Sequence, residues 1–247
     1  MNHEPTPSDC GSRRLAAGEQ TIAHVRGLIE RGALRPGDRL APERELVRQI
    51  GVSRTSVQEG LRSLAAMGVV RTRKRSGVYI TSGPPTLASE PVVLLAAIHG
   101  VGRGRLFEVR RALEGSTAAL AAERATENQL AVMADAVAGM SATLADPQAF
   151  LHYDIRFHRA VATGANNLVL GALVEMVASL FYEQRRATIE RAQDSLREGA
   201  DMHRGIYRAI RSRDANRARA AMDEHLCLVQ ASHLPEDVPH PSGQPFR

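Results

Sequence analysis

Residues 32–80 read G-A-L-R-P-G-D-R-L-A-P-E-R-E-L-V-R-Q-I-G-V-S-R-T-S-V-Q-E-G-L-R-S-L-A-A-M-G-V-V and then R-T-R-K-R-S-G-V-Y-I. Leu46, Val47 and Ile50 recur at helical spacing, and Pro42 with Glu43 and Glu45 suits the first turn of that helix. Gly51 breaks the chain. Ser53 caps a further helix over Arg54–Met67, with Glu59 too far along for a capping box. Val57, Leu61, Leu64 and Ala65 are expected to face inward, leaving Arg54, Thr55, Ser56, Gln58 and Arg62 outward near the helix start. Val69–Arg71 and Val78–Ile80 read as strands joined by a basic turn, Arg73-Lys74-Arg75-Ser76-Gly77. Two short helices, a Gly turn and a cationic hairpin make a winged helix-turn-helix, which places its second helix in the DNA major groove. The wing tip is suited to backbone or minor groove.

Outward from this stretch, Ile22, Val25, Leu28 and Ile29 predict a first helix over about Gly18–Arg31. Leu34-Arg35-Pro36-Gly37 is a tight turn. Residues 1–83 carry 14 Arg and Lys against 8 Asp and Glu, a net +6, while the remainder carries 18 against 19. The excess positive charge of the chain is thus confined to the part that must meet phosphate.

The 247 residues suit two domains at roughly 100–200 residues each. The division expected is a flexible N-terminus (1–17), the winged helix-turn-helix (18–81), a linker (82–89) rich in Gly and Pro, a helical domain (90–232) and a disordered tail (233–247). Cys10 and Cys227 make no disulfide framework. The polar N-terminus holds no signal-peptide core, and the longest apolar run, Pro91–Ile98, is far short of the ~20 residues a membrane helix needs. A soluble cytoplasmic protein without a membrane partner is the expectation.

Beyond the linker no segment alternates like a strand. Helical periodicity predicts helices near 90–99, 103–124, 127–144, 147–163, 167–190, 194–211 and 215–231. Thr126 with Gln129 forms a capping box, and Asp146-Pro147 is a cap followed by an N1 proline. The fold class is therefore mainly α: an N-terminal winged helix-turn-helix plus a C-terminal bundle of about seven helices.

Four residues in the bundle carry chemistry. Asp154 and His158, at i and i+4, project from one helix face. His203 and His225 lie on successive helices and are equidistant from Asp214 in the Arg211–Asn216 turn. In an antiparallel hairpin they sit level and can converge. One carboxylate and three imidazoles suit Zn first, or Ni, Mn or Co. The pattern alone leaves open that these are hydrogen-bonded core histidines. His152 lies off the face of Asp154. His3, His24, His99, His233 and His240 have no partner pattern, and Cys227 points away from His225.

Gly32–Ile80 resembles the N-terminal domain of the GntR family of bacterial transcription regulators. The shared pieces are P-G-D-R-L (36–40), E-R-E-L (43–46), G-V-S-R-T (51–55) and G-V-Y-I (77–80). Residues 90–232 resemble the FCD ligand-binding domain of the family's FadR branch, through E-V-R-R-A-L-E (108–114), D-I-R-F-H (154–158), N-N-L (166–168), M-H-R-G-I (202–206) and M-D-E-H-L (222–226). The resemblance implies a homodimer on an inverted-repeat operator. Its DNA contacts are carried to Arg44 and Arg54, joined by Thr55, Ser56, Gln58, Arg62, Arg73, Lys74, Arg75 and Gly77. It implies a divalent metal on Asp154, His158, His203 and His225, and a small organic acid held by that metal with Arg110 and Asn166. Arg110 has an ion pair with Glu114 as its alternative role, and Asn166 a helix cap.

The chain departs from the family pattern in places. Ala41-Pro42 stands where the family has Pro-Ser. V-Q-E-G-L (57–61) replaces V-R-E-A-L, so Gln58, suited to adenine, replaces an Arg suited to guanine. Gly60 costs about 1 kcal/mol relative to Ala in a helix, with no reason visible in the sequence. The function expected is a metabolite-responsive regulator, a repressor rather than an activator. A metal-dependent hydrolase and a DNA-binding dimer with a purely structural metal are the alternatives. No G-x-S-x-G, H-E-x-x-H or phosphate loop supports an enzyme.

Overall fold

The computed structural model describes residues 7–83, 85–190 and 195–233, with side chains from residue 17 to residue 231. The chain divides into two compact units, Met1–Ala88 and Ser89–Arg247.

In the first unit α1 spans Pro7–Glu30, starting well before the expected Gly18, so part of the segment expected to be flexible is helical. Residues 1–6 and most of the expected tail, 234–247, lie outside the described residues. Helix α2 (Glu43–Ile50) ends at Gly51, whose φ of 78° lets its N–H reach the Val47 carbonyl. In α3 (Arg54–Ala66) the Ser53 hydroxyl accepts the backbone N–H of Ser56. Strands β1 (Val70–Arg73) and β2 (Gly77–Ile80) pair antiparallel, with Val70 opposite Ile80 and Arg73 opposite Gly77. The P-G-D-R-L segment adds a further edge, because Leu40 N–H donates to Val78 O and Ile80 N–H to Asp38 O. Val25, Leu40, Leu46, Val57, Leu61, Leu64, Val70 and Ile80 close one small core.

Gly60 has a structural reason. A Cβ there would lie 2.5 Å from Thr21 Cβ and 2.8 Å from Gly18 O, both on α1. Its missing side chain lets α1 and α3 touch backbone to backbone. Gly60 is buried, whereas Ala65, expected inward, is exposed.

The second unit contains α4 (Glu90–Ile98), α5 (Arg103–Arg124), α6 (Glu127–Ala142), α7 (Pro147–Gly164), α8 (Leu168–Thr188), α9 (Leu196–Arg211) and α10 (Ala215–His233). The seven helices match the periodicity, and two predicted caps form. Thr126 and Gln129 make a reciprocal capping box, and Asp146 accepts the Ala149 N–H ahead of Pro147. Ala118, Ala121 and Ala122 on α5 are fully buried, and such small residues let neighbouring helices approach closely. Larger side chains, among them Phe107, Phe157, Met133, Met140, Ile206 and Met222, fill the space around them. The α9–α10 turn is fastened by Arg213 (φ 61°). Its guanidinium donates to the Ala122 and Ala125 carbonyls at the end of α5, an orientation the helix dipole favours.

Candidate functional site

The bundle interior holds a cluster of buried polar side chains. Helix α7 contributes Asp154 and His158, α9 contributes His203, and α10 contributes His225, all buried. One ligand atom from each of the four lies within 4.8 Å of all the others. His203 Nε2 is 3.2 Å from Asp154 Oδ1 and 3.3 Å from His158 Nε2. A tetrahedral cation with bonds of about 2.1 Å spaces its ligands about 3.4 Å apart, so these pairs already sit at coordination spacing. The antiparallel hairpin works as its symmetry predicted: the His203 and His225 ring centroids are 4.3 Å apart.

The ring orientations are fixed from behind. His158 Nδ1 bonds the Glu114 carboxylate, and His203 Nδ1 faces the Gly199 carbonyl at 2.6 Å. Both rings therefore turn Nε2 toward Asp154. This is the carboxylate- or carbonyl-backed arrangement that orients metal-binding imidazoles. Both ring nitrogens of His225 are buried without a hydrogen-bond partner. Burial, and then the neighbouring His203 and His158, push its imidazole well below the ordinary range, so it stays neutral and able to bind a cation. A borderline-soft N₃O donor set with an orphaned imidazole fits a divalent metal of the Zn, Ni, Co or Mn class.

Two guanidinium groups complete the interior. Arg110 Nε donates to Glu114 at 2.5 Å, and Arg185 Nη1 lies 2.6 Å from Asp154 Oδ2. The Arg185 contact is a charge contact, without the alignment of a hydrogen bond. Burial raises both carboxyls, but the opposite charges win. Arg110 and His158 hold Glu114 at about 2, while Arg185, His203 and His158 hold Asp154 well below the usual carboxylate range. Both carboxylates are thus ionised at neutral pH.

On the first unit, the geometry is that of a DNA-reading surface. Arg44, Arg54, Thr55, Arg62, Arg73, Lys74 and Arg75 are exposed. Arg73 lies over the Tyr79 ring at 4.6 Å, and Arg75 turns the wing tip with φ 60°.

Residues 17–80 match the gntR family of bacterial regulatory proteins, and residues 105–227 match the FCD domain. The Bacillus subtilis HTH-type transcriptional regulator LutR is 33% identical over 82% of this chain and 94% of its own length. The chain belongs to the GntR family, with an FCD domain. The Escherichia coli galactonate operon transcriptional repressor is 31% identical over 78% of this chain and 86% of its own. A solved Streptococcus agalactiae GntR structure, 27% identical, covers 87% of this chain and 99% of that one with a TM-score of 0.67. The family and these relatives are transcriptional regulators, not enzymes, which removes the hydrolase alternative. No helix among the described residues is long and apolar enough to cross a membrane.

Within this GntR-family chain several sequence expectations need correction. Ser56 was expected outward, but it is buried, its hydroxyl 2.8 Å from that of Ser53. It sits at the third helical position, where it meets its own N-cap instead of a groove. Gln58 is half-buried and donates to Glu43 at 2.9 Å, and Arg54 reaches the same oxygen at 3.3 Å. Gly77 lies under the Arg39 guanidinium, where a Cβ would meet Nε at 3.0 Å.

Asn166 is not brought to the cluster. Its amide donates to the Arg124 carbonyl and accepts from Gln129, fastening the α7–α8 turn about 12 Å along the helix from His158. The cap of α8 is its neighbour Asn167. Arg110 forms the ion pair with Glu114 that was its alternative role, yet its Nη1 stays buried and unpartnered. His152 is exposed and away from the cluster, as expected. Glu114 as the brace of His158, and Arg185 as the partner of Asp154, were missed. Glu114 entered the sequence reading only as the alternative ion-pair partner of Arg110 within E-V-R-R-A-L-E, and Arg185 not at all.

Proposed function

We propose that this chain is a metabolite-responsive repressor whose DNA grip is released by a small carboxylate bound at a divalent metal in the helical domain. The convergence of Asp154, His158, His203 and His225 in the unit that follows a DNA-binding module in the chain carries this reading. Zinc suits the donor set best, held by Asp154 Oδ1, by Nε2 of His158 and His203, and by a nitrogen of His225. The bound cation supplies a Lewis-acid grip on a carboxylate oxygen. Arg110, its planar fork partly unpaired, supplies direction. The galactonate operon repressor is named for a sugar acid, and that class of hydroxy-acid is the first to try here.

The protein acts in the cytoplasm as a homodimer on an inverted repeat. Arg44, Arg54 and Arg62 meet phosphate or base edges, and the wing residues Arg73, Lys74 and Arg75 meet backbone or minor groove. Gln58, once free of Glu43, is positioned to read adenine. The ligand shifts DNA occupancy only if it favours one conformation over another.

The test is fluorescence anisotropy of an operator duplex, titrated with a panel of hydroxy-acids and sugar acids in the presence of zinc. One of them should dissociate the complex, and His203→Ala should abolish that response with DNA affinity intact. A complex indifferent to the whole panel would sink the proposal. Loss of fold on substitution of His203 would point instead to a purely structural metal.

A further inference from the structure

The first turn of α2 carries two acids, and the fold uses them differently. Glu45 is satisfied inside its own helix, where Arg48 donates to it at 2.8 Å and Gln49 at 2.9 Å. Glu43 reaches across to α3 instead. Its Oε2 accepts from Gln58 Nε2 at 2.9 Å and from Arg54 Nε at 3.3 Å. The helix dipole rewards an acid at this end, and Glu45 already supplies one. The Glu43 side chain is 36% exposed and that of Arg54 77%. The Glu43 carboxylate therefore lies among the atoms that the start of α3 presents to a groove.

When Gln58 leaves Glu43 for an adenine edge and Arg54 turns to phosphate, both donors go to the duplex. The carboxylate is then left beside the bases without a partner. A carboxylate accepts hydrogen bonds and donates none. Shut from water at an interface, it is costly unless a donor meets it. In the major groove two bases offer one, cytosine through its N4 amine and adenine through its N6 amine. Guanine presents O6 and N7 there, and thymine O4, all acceptors that a carboxylate repels.

We infer that Glu43 is a specificity-determining residue, which accepts from the exocyclic amine of a cytosine or adenine beside the base that Gln58 reads, and rejects guanine and thymine at that position. This rests on the reading of α3 as the groove-reading helix, and it adds a second reader from α2. The 2.9 Å between Glu43 Oε2 and Gln58 Nε2 is within the rise of about 3.4 Å between successive bases, so the base Glu43 meets is the neighbour of the one Gln58 meets. The discrimination is chiefly negative, because a wrong base leaves a charge unpaired.

The experiment selects tight binders from a randomised duplex library with the full-length protein, its Glu43→Gln form and its Gln58→Ala form. Glu43→Gln is isosteric, and an amide both donates and accepts, so it tolerates every base. Wild type should enrich a half-site with cytosine or adenine at one position, next to the adenine whose preference Gln58→Ala erases. Glu43→Gln should lose the preference at the first position and keep it at the second. Fluorescence anisotropy then compares the selected duplex with one carrying guanine or thymine at the Glu43 position. Wild type should bind the altered duplex at least tenfold more weakly than the selected one. Glu43→Gln should show less than a threefold difference, mostly by gripping the altered duplex more tightly. A role at the helix start alone would lower the thermal transition of the variant and leave its base preferences in place, and that outcome overturns the inference. So does a Glu43→Gln protein that loses the Gln58 position instead, since Glu43 would then only orient Gln58. A wild-type chain that enriches no sequence overturns the DNA-reading assignment of α3 itself, which separates the two failures.

Discussion

The two units spend their charges in opposite ways. In the first, Arg44, Arg62, Arg73, Lys74 and Arg75 stand in water. In the second, Asp154, Glu114, Arg110, Arg185 and three histidines are buried among Phe107, Phe157 and Phe181. Exposed cations cost little to keep and are available to a polyanion, whose grip then weakens with salt. Buried charges survive only if each finds a partner, so their number and placement specify what is missing. The first unit shows an exposed cationic surface, and the second a buried set of charges in which each carboxylate has a cationic partner.

Phe157→Ala probes this contrast most severely. Phe157 is fully buried, with its ring 5.1 Å from that of His203. Its loss should destabilise the bundle by about 3–5 kcal/mol, read as an earlier thermal transition by circular dichroism, together with weakened zinc uptake. A change confined to DNA affinity would contradict the assignment of these roles. Zinc at about 100–1,000 times its Kd should stabilise the protein by roughly 3–4 kcal/mol, and a chelator should remove that gain. Calorimetry showing no difference between chelated and zinc-loaded protein would break the comparison from the other side.

What was legible in the sequence follows the same division. Caps are local, so Thr126-Gln129 and Asp146-Pro147 gave helix starts that the structure shares. The spacing of Asp154 and His158, and the symmetry of His203 and His225 about Asp214, are local too. Arg185 and Glu114 escaped because they meet Asp154 and His158 across different helices, a pairing that no periodicity encodes. Ser56 was misread because polarity suggested solvent, while its position beside the N-cap turned it inward. Gly60 was unintelligible until α1 lay against it.

Arg62→Ala tests the surface half. Removing one exposed cation from α3 should weaken DNA binding by about 1–3 kcal/mol if it meets a base, or lower the salt slope by about 1 if it meets phosphate. Zinc affinity should not change. Anisotropy at graded salt distinguishes the outcomes, and an unaltered isotherm would remove Arg62 from the interface.

The smallest effect is expected at Asp223, which accepts from Arg111 at 2.8 and 2.9 Å on the bundle surface. Asp223→Asn should cost well under about 1 kcal/mol, since water screens this half-exposed pair. The hydrogen bonds from Arg111 hold the Asp223 carboxyl below its ordinary value. Its contribution is therefore complete at neutral pH and fades as pH falls through and below the usual carboxylate range. Equal acid sensitivity of wild type and variant in that window, by chemical denaturation, would show the pair to be energetically silent.

The contact at Gly60 limits how the DNA-reading module can move. At Gly60 the α3 backbone lies against Thr21 and the Gly18 carbonyl of α1, which leaves little room for a slide between the two helices. The groove-reading helix and the N-terminal helix are therefore expected to move as one piece on an operator. A methyl group added there, as in Gly60→Ala, would push the two helices apart and tilt the reading helix away from its seat.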